Sequence, residues 1–220
     1  MTSRYVLLAA VLLTLSACGP AEKAKAPATK LAAAPVEAPA LVTRKTADGR
    51  IDRFTPYVGG PLALDEYSVG PLMAQTDFSL DAIRPRFPKA KVEGVLIRDD
   101  GAPSKLIGVT VYQGGGQIEI SGSPDTILVG DIRVSGGTPV GPRGETLGMR
   151  FADADMDYER CHTGEGPDRY AVVCIQPGEA VLRYVFAVPG WTTDVLPPLD
   201  VLRQKAVLRG FVWKGGAPAP

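Results

Sequence analysis

The feature that most restricts the fold of this 220-residue chain is a series of short β-branched runs, each bounded by Gly, Pro or Asp. Runs of this length and composition are typical of strands, and the turn residues between them indicate tight connections. Their close spacing predicts antiparallel hairpins, since parallel strands need long crossover connections. The runs cover residues 91–98, 105–112, 117–121, 126–134, 170–175, 181–187 and 207–213.

Helical segments are few and short. Ser79 is a good N-cap for a helix over 80–84, which Pro85 and Pro88 then limit. The segments 151–158 and 198–203 are further helix candidates, the second with Pro198 in a first-turn position. The sequence therefore predicts an α+β fold, a mainly antiparallel β-sheet with two or three short helices against one face.

The N-terminus has the pattern of a secretory signal: Arg4, an apolar run over 5–13, and then Leu15-Ser16-Ala17-Cys18. The apolar run is shorter than the roughly 20 residues needed to span a bilayer. Its end resembles the bacterial lipobox, in which the Cys thiol accepts diacylglycerol before cleavage. We therefore expect 1–17 to be a lipoprotein signal peptide and Cys18 to be the lipidation site. An ordinary secreted protein with a free Cys18 thiol is the alternative.

The residues after Cys18 predict a tether. Segment 18–60 is rich in Ala and Pro and carries seven basic and four acidic residues. Roughly 40 flexible residues span about 35 Å. We expect a folded β-rich domain over 61–214 and a disordered tail over 215–220. The basic tether could be drawn to anionic headgroups, or its charges could simply keep it soluble.

The residue after Cys18 also bears on location. In the enteric lipoprotein rule, Asp at this position retains a protein at the inner membrane, and here the residue is Gly19. By that resemblance, the expected location is the periplasmic face of the outer membrane. The acylated N-terminus, carrying palmitate-type chains, would make the membrane one partner of the chain.

Two further cysteines, Cys161 and Cys174, flank a turn-forming segment. Once Cys18 is lipidated they are an even pair, and the oxidising periplasm favours their joining in a disulfide that closes a hairpin. The alternative is a catalytic Cys161 beside His162. It is weaker because adjacent residues of an extended chain point to opposite faces, and oxidation would quench the nucleophile.

The remaining composition excludes much chemistry. His162 is the only histidine, and no Gly-x-Ser-x-Gly, His-Glu-x-x-His or metal-spaced cysteine motif is present. The sequence thus points to no catalytic residue, no metal site and no cofactor. The acidic run 153–159 matches a calcium loop in part, but Tyr158 stands where the loop needs Gly, and Gly164 where it needs Glu. Equal numbers of basic and acidic residues, 24 of each, argue against a nucleic-acid partner.

Segments 144–151, 182–186 and 196–203, with the cysteine pair and the closing Val212-Trp213, resemble the family of envelope-stress (RpoE)-regulated bacterial lipoproteins. The similarity covers about 67–213 and is most specific in the cysteine pair and in Leu196-Pro197-Pro198. The resemblance implies a periplasmic lipoprotein whose domain has no assigned function, so it carries over no catalytic residue. The tether is longer than is typical of the family.

These observations favour a non-catalytic binding module of the cell envelope, linked to envelope stress, with an envelope protein or peptidoglycan as partner. The turn over 138–143 and the loop at Trp191 are candidate binding segments, because Gly/Pro loops on a rigid sheet often carry binding and exposed Trp favours interfaces. Alternatively, Trp191 and Trp213 belong to the core. The rival function is a carboxylate-dependent hydrolase of peptidoglycan or other envelope glycans or lipids, which needs two carboxylates about 5–9.5 Å apart in one cleft.

Overall fold

The structure, a computed structural model, describes residues 39–46, 48–99, 102–112, 115–179 and 181–215. The signal peptide, Cys18, most of the tether and residues 216–220 lie outside this range. The strands are β1 Val42–Lys45, β2 Ile51–Phe54, β3 Leu62–Ala63, β4 Ser68–Val69, β5 Leu72–Met73, β6 Ala90–Asp99, β7 Ala102–Val111, β8 Gly116–Gly122, β9 Val129–Ser135, β10 Pro139–Val140, β11 Cys161–Thr163, β12 Ala171–Cys174, β13 Leu182–Ala187 and β14 Val207–Lys214. The helices are α1 Leu80–Ile83 and α2 Leu199–Lys205, with 3-10 turns at Arg84–Arg86, Phe151–Asp153, Tyr158–Arg160 and Gly166–Asp168.

Eight of these strands form one antiparallel sheet in the order β11-β12-β13-β14-β9-β8-β7-β6. Strands β6 to β9 follow one another as a meander, and β11 to β13 form a second meander. The last strand, β14, lies between the two groups and pairs with β13 on one side and β9 on the other. The seven strands predicted from the β-branched runs are all present in this sheet, and the predicted α+β class is confirmed.

One face of the sheet carries the main hydrophobic core, because alternate residues of each strand point to the same side. Ile83 of α1 and Leu202 of α2 are buried in the same cluster, so both helices pack against this inner face. Strands contribute the fully buried residues Val109, Ile118, Ile120, Ile132, Val134, Tyr184, Phe186, Phe211 and Trp213.

The helix starts largely follow the sequence signals. The Ser79 hydroxyl accepts a hydrogen bond from the Ala82 amide at 3.2 Å and caps α1. The chain then tightens into a 3-10 turn that contains Pro85. Helix α2 begins after Pro198, which occupies the N-cap position instead of the first turn. No helix in the described residues is long and apolar enough to cross a membrane.

The helix predicted over 151–158 is wrong. The structure has two separate 3-10 turns there, and Asp155 between them has a φ of 49°, which a continuous helix does not allow. The short acidic side chains act locally: Asp157 accepts from the Glu159 amide and caps the second turn, and Asp153 pairs with Arg150 at 2.8 Å. Local capping of this kind competes with helix formation.

The folded part of the chain begins earlier than residue 60, where the sequence analysis ends the tether. Strands β1 and β2 form an antiparallel hairpin, and Phe54 at its end is buried. Two arginines of the hairpin bond to residues that follow it in the chain. Arg44 donates to the Asp81 carbonyl at 2.6 Å, and Arg50 pairs with Asp77 at 2.5 Å. Several charges attributed to the tether therefore belong to folded structure.

A fully buried arginine holds this hairpin in place. The Arg86 guanidinium pairs with the Asp52 carboxylate of β2 at 2.6 Å and donates to the carbonyls of Pro71 and Ala82 at 3.1 and 2.5 Å. It also lies 4.1 Å from the centre of the Phe54 ring, within cation–π range. Burial lowers the pKa of Arg86, while the Asp52 hydrogen bond opposes that effect. One side chain thus links the hairpin, the β4–β5 turn and α1.

Candidate functional site

The predicted disulfide between Cys161 and Cys174 is confirmed. The two residues lie opposite each other on β11 and β12, with an S–S distance of 2.04 Å. Because its sulfur is bonded to Cys174, Cys161 is not available as a nucleophile. The ring of His162 is exposed, and its Nδ1 lies 2.8 Å from the Thr163 carbonyl oxygen. The alternative of a Cys161–His162 catalytic pair is therefore wrong.

The loop closed by the disulfide is tied to the outer face of the sheet through Asp168. Its carboxylate accepts two hydrogen bonds from Arg133 of β9, at 2.7 and 2.6 Å, and one from Arg209 of β14 at 2.8 Å. Burial alone would raise the pKa of Asp168, but the two arginines outweigh it and hold the pKa below its usual value. A small apolar cluster, separate from the main core, is formed by residues of strands β12, β13 and β14: Ala171, Val173, Val185 and Val212. We interpret this arrangement as structural.

The turn over 138–143, a predicted binding segment, makes hydrogen bonds and close contacts mostly with other parts of the protein. Strand β10 pairs in parallel with β3, and the Thr138 hydroxyl donates to the Gly60 carbonyl at 3.0 Å. Gly141 is buried, and a Cβ there would meet a Glu145 carboxylate oxygen at 2.5 Å. The turn therefore positions Glu145, and its exposed residues are Thr138, Pro142 and Arg143.

Neither tryptophan offers its indole N–H for binding. Trp213 is buried in the core and donates to the Glu66 carbonyl at 3.3 Å. Trp191 is partly buried against the same core, and its indole donates to the Val195 carbonyl at 2.9 Å. The core alternative is confirmed for Trp213, and Trp191 packs at the edge of the core.

The acidic run over 153–159 does not collect into a cation site. Asp153 is paired with Arg150, Asp157 lies 3.9 Å from Arg160, and the turn at Asp155 separates them. Within the ranges that the structure describes, no group of three or more His, Cys, Asp or Glu side chains is arranged to hold a metal ion.

A buried polar cluster, which the sequence analysis missed, lies behind the 138–143 turn. It consists of Glu145, Gln176, Glu179 and Tyr184. The Gln176 amide donates to Glu145 at 3.2 Å, the Arg143 backbone N–H donates to the same carboxylate at 3.0 Å, and the Tyr184 hydroxyl donates to Glu179 at 3.1 Å. Glu145 lies 31 residues before Gln176, so the fold brings it to the other three residues, which are close together in sequence.

Electrostatics sets this cluster apart from the surface acids. Burial raises the pKa of Glu179, against the lowering effect of the Tyr184 hydrogen bond, and the charge of Glu145 raises it further. Burial also raises the pKa of Tyr184. The carbonyl oxygen of the fully buried Gln176 side chain has no hydrogen-bond donor in the structure. Glu145 is also buried, so its carboxylate is closed to a large substrate.

The most exposed apolar surface in a regular element lies on β6, the edge strand of the large sheet. Val95 is 39% exposed, Leu96 73% and Ile97 37%, although all three are large apolar residues within a strand. Strand β6 pairs with β7 over ten residues, whereas β8 pairs with β7 only as far as Leu106. The end of the β6–β7 hairpin therefore projects beyond its neighbours.

A groove lies beside this projecting hairpin, with a volume of about 380 Å³. Residues of β6 and β7 form one side, and residues at the start of α1 form the other. We call it the edge groove, lined by Phe78, Ser79, Leu80, Gly94, Val95, Leu96, Lys105, Leu106 and Ile107. A Cβ on Gly94 would meet no atom within 4 Å, so the surface is open at that residue.

The Val95-Leu96-Ile97 run is visible in the sequence, but its exposure to solvent could not be predicted from it. An apolar run of this kind indicates a strand, and such a strand is as compatible with the middle of a sheet as with an edge. Its position at the edge follows from strand order, which the spacing of the runs does not determine.

Comparisons with known proteins identify the fold only. No protein-family model matches the chain, and no curated protein matches it. A solved structure, described as the crystal structure of the uncharacterized protein yfeY from Escherichia coli, matches with a TM-score of 0.58 and 19% sequence identity. The match covers 70% of this chain and 99% of that one. It shows that the two chains share a fold.

Proposed function

We propose that this chain is a lipid-anchored protein of the bacterial cell envelope, linked to envelope stress, that binds an extended protein segment at the β6 edge without catalysis. The observation that carries the binding part is the exposure of Val95, Leu96 and Ile97 on an edge strand. Soluble proteins usually protect such edges with charges, prolines or bulges. An extended segment would cover the apolar side chains and pair with the backbone at once.

The backbone of β6 supports the same mode of binding. In an antiparallel pair, only alternate residues of an edge strand bond to their neighbour, so the others turn their N–H and C=O groups outward. The pairing of β6 with β7 has no register shift over its ten residues, so the outward groups follow one another regularly. Strand addition needs this regular row of donors and acceptors.

The hydrolase alternative gains no support from the two acids of the polar cluster, Glu145 and Glu179. It requires two carboxylates that face one cleft. Glu145 is buried and bonded by Gln176 and Arg143, and Glu179 is bonded by Tyr184. Glu145 stabilises the 138–143 turn and Glu179 holds the Tyr184 hydroxyl, so we do not propose catalysis.

Replacing Cys18 with alanine tests the anchor. We expect the Cys18→Ala protein to move from the membrane fraction to the soluble periplasmic fraction. Lipid modification would require the Cys18 thiol, and without acyl chains the protein has no CH₂ groups to bury in the membrane. Immunoblotting of separated inner-membrane, outer-membrane and soluble fractions measures the shift, with wild type as control. Unchanged membrane association would rule out the lipid anchor.

In-cell photocrosslinking tests the binding surface. A photoreactive residue at position 97 of the full chain should give a discrete adduct, and the same residue at the exposed Asp200 of α2 should give none. The added substitution Leu96→Pro should abolish the adduct, because proline removes a backbone donor and is tolerated at sheet edges. An adduct of equal yield from position 200, or one that survives Leu96→Pro, would contradict binding at this edge.

A further inference from the structure

We propose that the segment bound at the β6 edge is β6 of a second copy of this chain, paired antiparallel about a two-fold axis at Val95 to give one continuous sheet. This inference rests on the proposed function, which it narrows to a homodimer. The register of β6 and the open space at Gly94 support it.

The register of β6 shows which residues a second copy can meet. Asp99 and Ala102 are the last pair of the ladder, so they must exchange their own hydrogen bonds. Counting back from Asp99, alternate residues bond to β7. The residues in between turn their backbone groups outward, and these are Val92, Gly94, Leu96 and Arg98.

A two-fold axis at Val95 pairs these outward residues with each other. Gly94 of each copy then lies opposite Leu96 of the other, and Val95 lies opposite Val95. Opposite residues in an antiparallel pair point to the same face of the sheet. Leu96 of the second copy would therefore lie over Gly94, where the surface is open, at the side of the edge groove.

The neighbouring registers fit less well. With the axis at Leu96, Gly94 of one copy would lie opposite Arg98 of the other, so a charged side chain would take the place of Leu96 over the open surface. With the axis at Gly94, the two glycines would lie opposite each other and Leu96 would lose its place over open space. The axis at Val95 is the one of these three that sets Leu96 of each copy over the open surface at Gly94 of the other.

A membrane anchor would favour this pairing. Chains held on one membrane surface meet at an effective concentration far above that of free protein, so a modest interface is sufficient. The apolar side chains Val95 and Leu96 would be covered in both copies at once.

Cysteine crosslinking tests the register. In the axis register, Val95 of each copy occupies a non-hydrogen-bonded pair, whose Cα atoms are about 4.5 Å apart and within disulfide reach. Membranes that contain full-length Val95→Cys protein, oxidised with copper phenanthroline, should shift on non-reducing gels to the mass of two chains. Ile97→Cys is the matched control, because Ile97 is exposed to nearly the same extent as Val95. In the proposed register, however, Ile97 of one copy lies four residues away from Ile97 of the other.

A mixed pair adds an independent check. Glu93 lies opposite Ile97 in this register, so differently tagged Glu93→Cys and Ile97→Cys chains, expressed together, should form a heterodimer although Ile97→Cys alone does not. No crosslink at 95, or equal crosslinking at 95 and 97, would overturn the self-pairing. A photocrosslinked adduct at position 97 with the mass of a different protein would also overturn it while leaving edge binding intact, and no adduct at all would defeat both.

Discussion

Replacing Arg86 with leucine is expected to destabilise the folded domain by about 3–5 kcal/mol, the cost typical of removing one partner of a buried ion pair. The substitution leaves the Asp52 carboxylate, which is largely buried, without its hydrogen-bonded cation, and the nearest remaining one is Arg44 at 3.9 Å. It also leaves the carbonyls of Pro71 and Ala82 without their donor, and removes the guanidinium from the Phe54 ring. Leucine fills part of the volume but replaces none of these bonds.

Urea denaturation of the full-length protein, followed by tryptophan fluorescence, measures this loss, since Trp213 lies in the core. Arg84→Leu is the matched control, because Arg84 belongs to the same 3-10 turn but its side chain is exposed. We expect Arg84→Leu to change the free energy of unfolding by less than about 0.5 kcal/mol. Equal losses for the two variants would show that Arg86 does not fasten the β1–β2 hairpin.

Removing the disulfide is expected to cost about 3 kcal/mol in the chain-entropy account, which applies to a loop of this size. The Cys161→Ala, Cys174→Ala double variant frees a loop whose ends are 13 residues apart. That loop carries Asp168, so its release also loosens the ion pairs with Arg133 and Arg209 on the outer face.

Urea denaturation measures this loss. It is carried out on the oxidised wild type, on the wild type with reductant and on the double alanine variant. Reduced wild type and the alanine variant should unfold at similar urea concentrations, both well below that of the oxidised protein. His162→Ala is a useful control, because it changes an exposed residue next to Cys161 on the same strand and keeps the bond. Identical midpoints for oxidised and reduced protein would refute a stabilising role for the disulfide.

The strands and the disulfide were predictable from sequence because their signals are local. A β-branched run between turn residues indicates a strand, and Ser79 caps α1 through an amide only three residues away. Once Cys18 is set aside for lipidation, Cys161 and Cys174 are the two cysteines left to pair. The β1–β2 hairpin was missed because its strands are short and charged. Its stability comes from partners such as Asp77 and Arg86, which are distant in sequence.

The candidate site was less predictable for a related reason. The buried polar cluster joins Glu145 to Gln176 across 31 residues, and no motif marks either of them. The exposure of Leu96 depends on which strand lies at the sheet edge. The Gly and Pro content of the 138–143 turn is typical of a binding loop, but its glycine, Gly141, serves close packing against Glu145.

The central place of the last strand has a consequence for the order of folding. Among the described residues, the two meanders, β6 to β9 and β11 to β13, make no strand pairs with each other, and β14 lies between them in the sheet. A chain that is made from its N-terminus cannot complete its sheet until residues 207–214 have been synthesised. Until then each meander presents an unpaired edge strand, so a truncation that removes residues 207–214 would leave β9 and β13 without the strand that pairs with both.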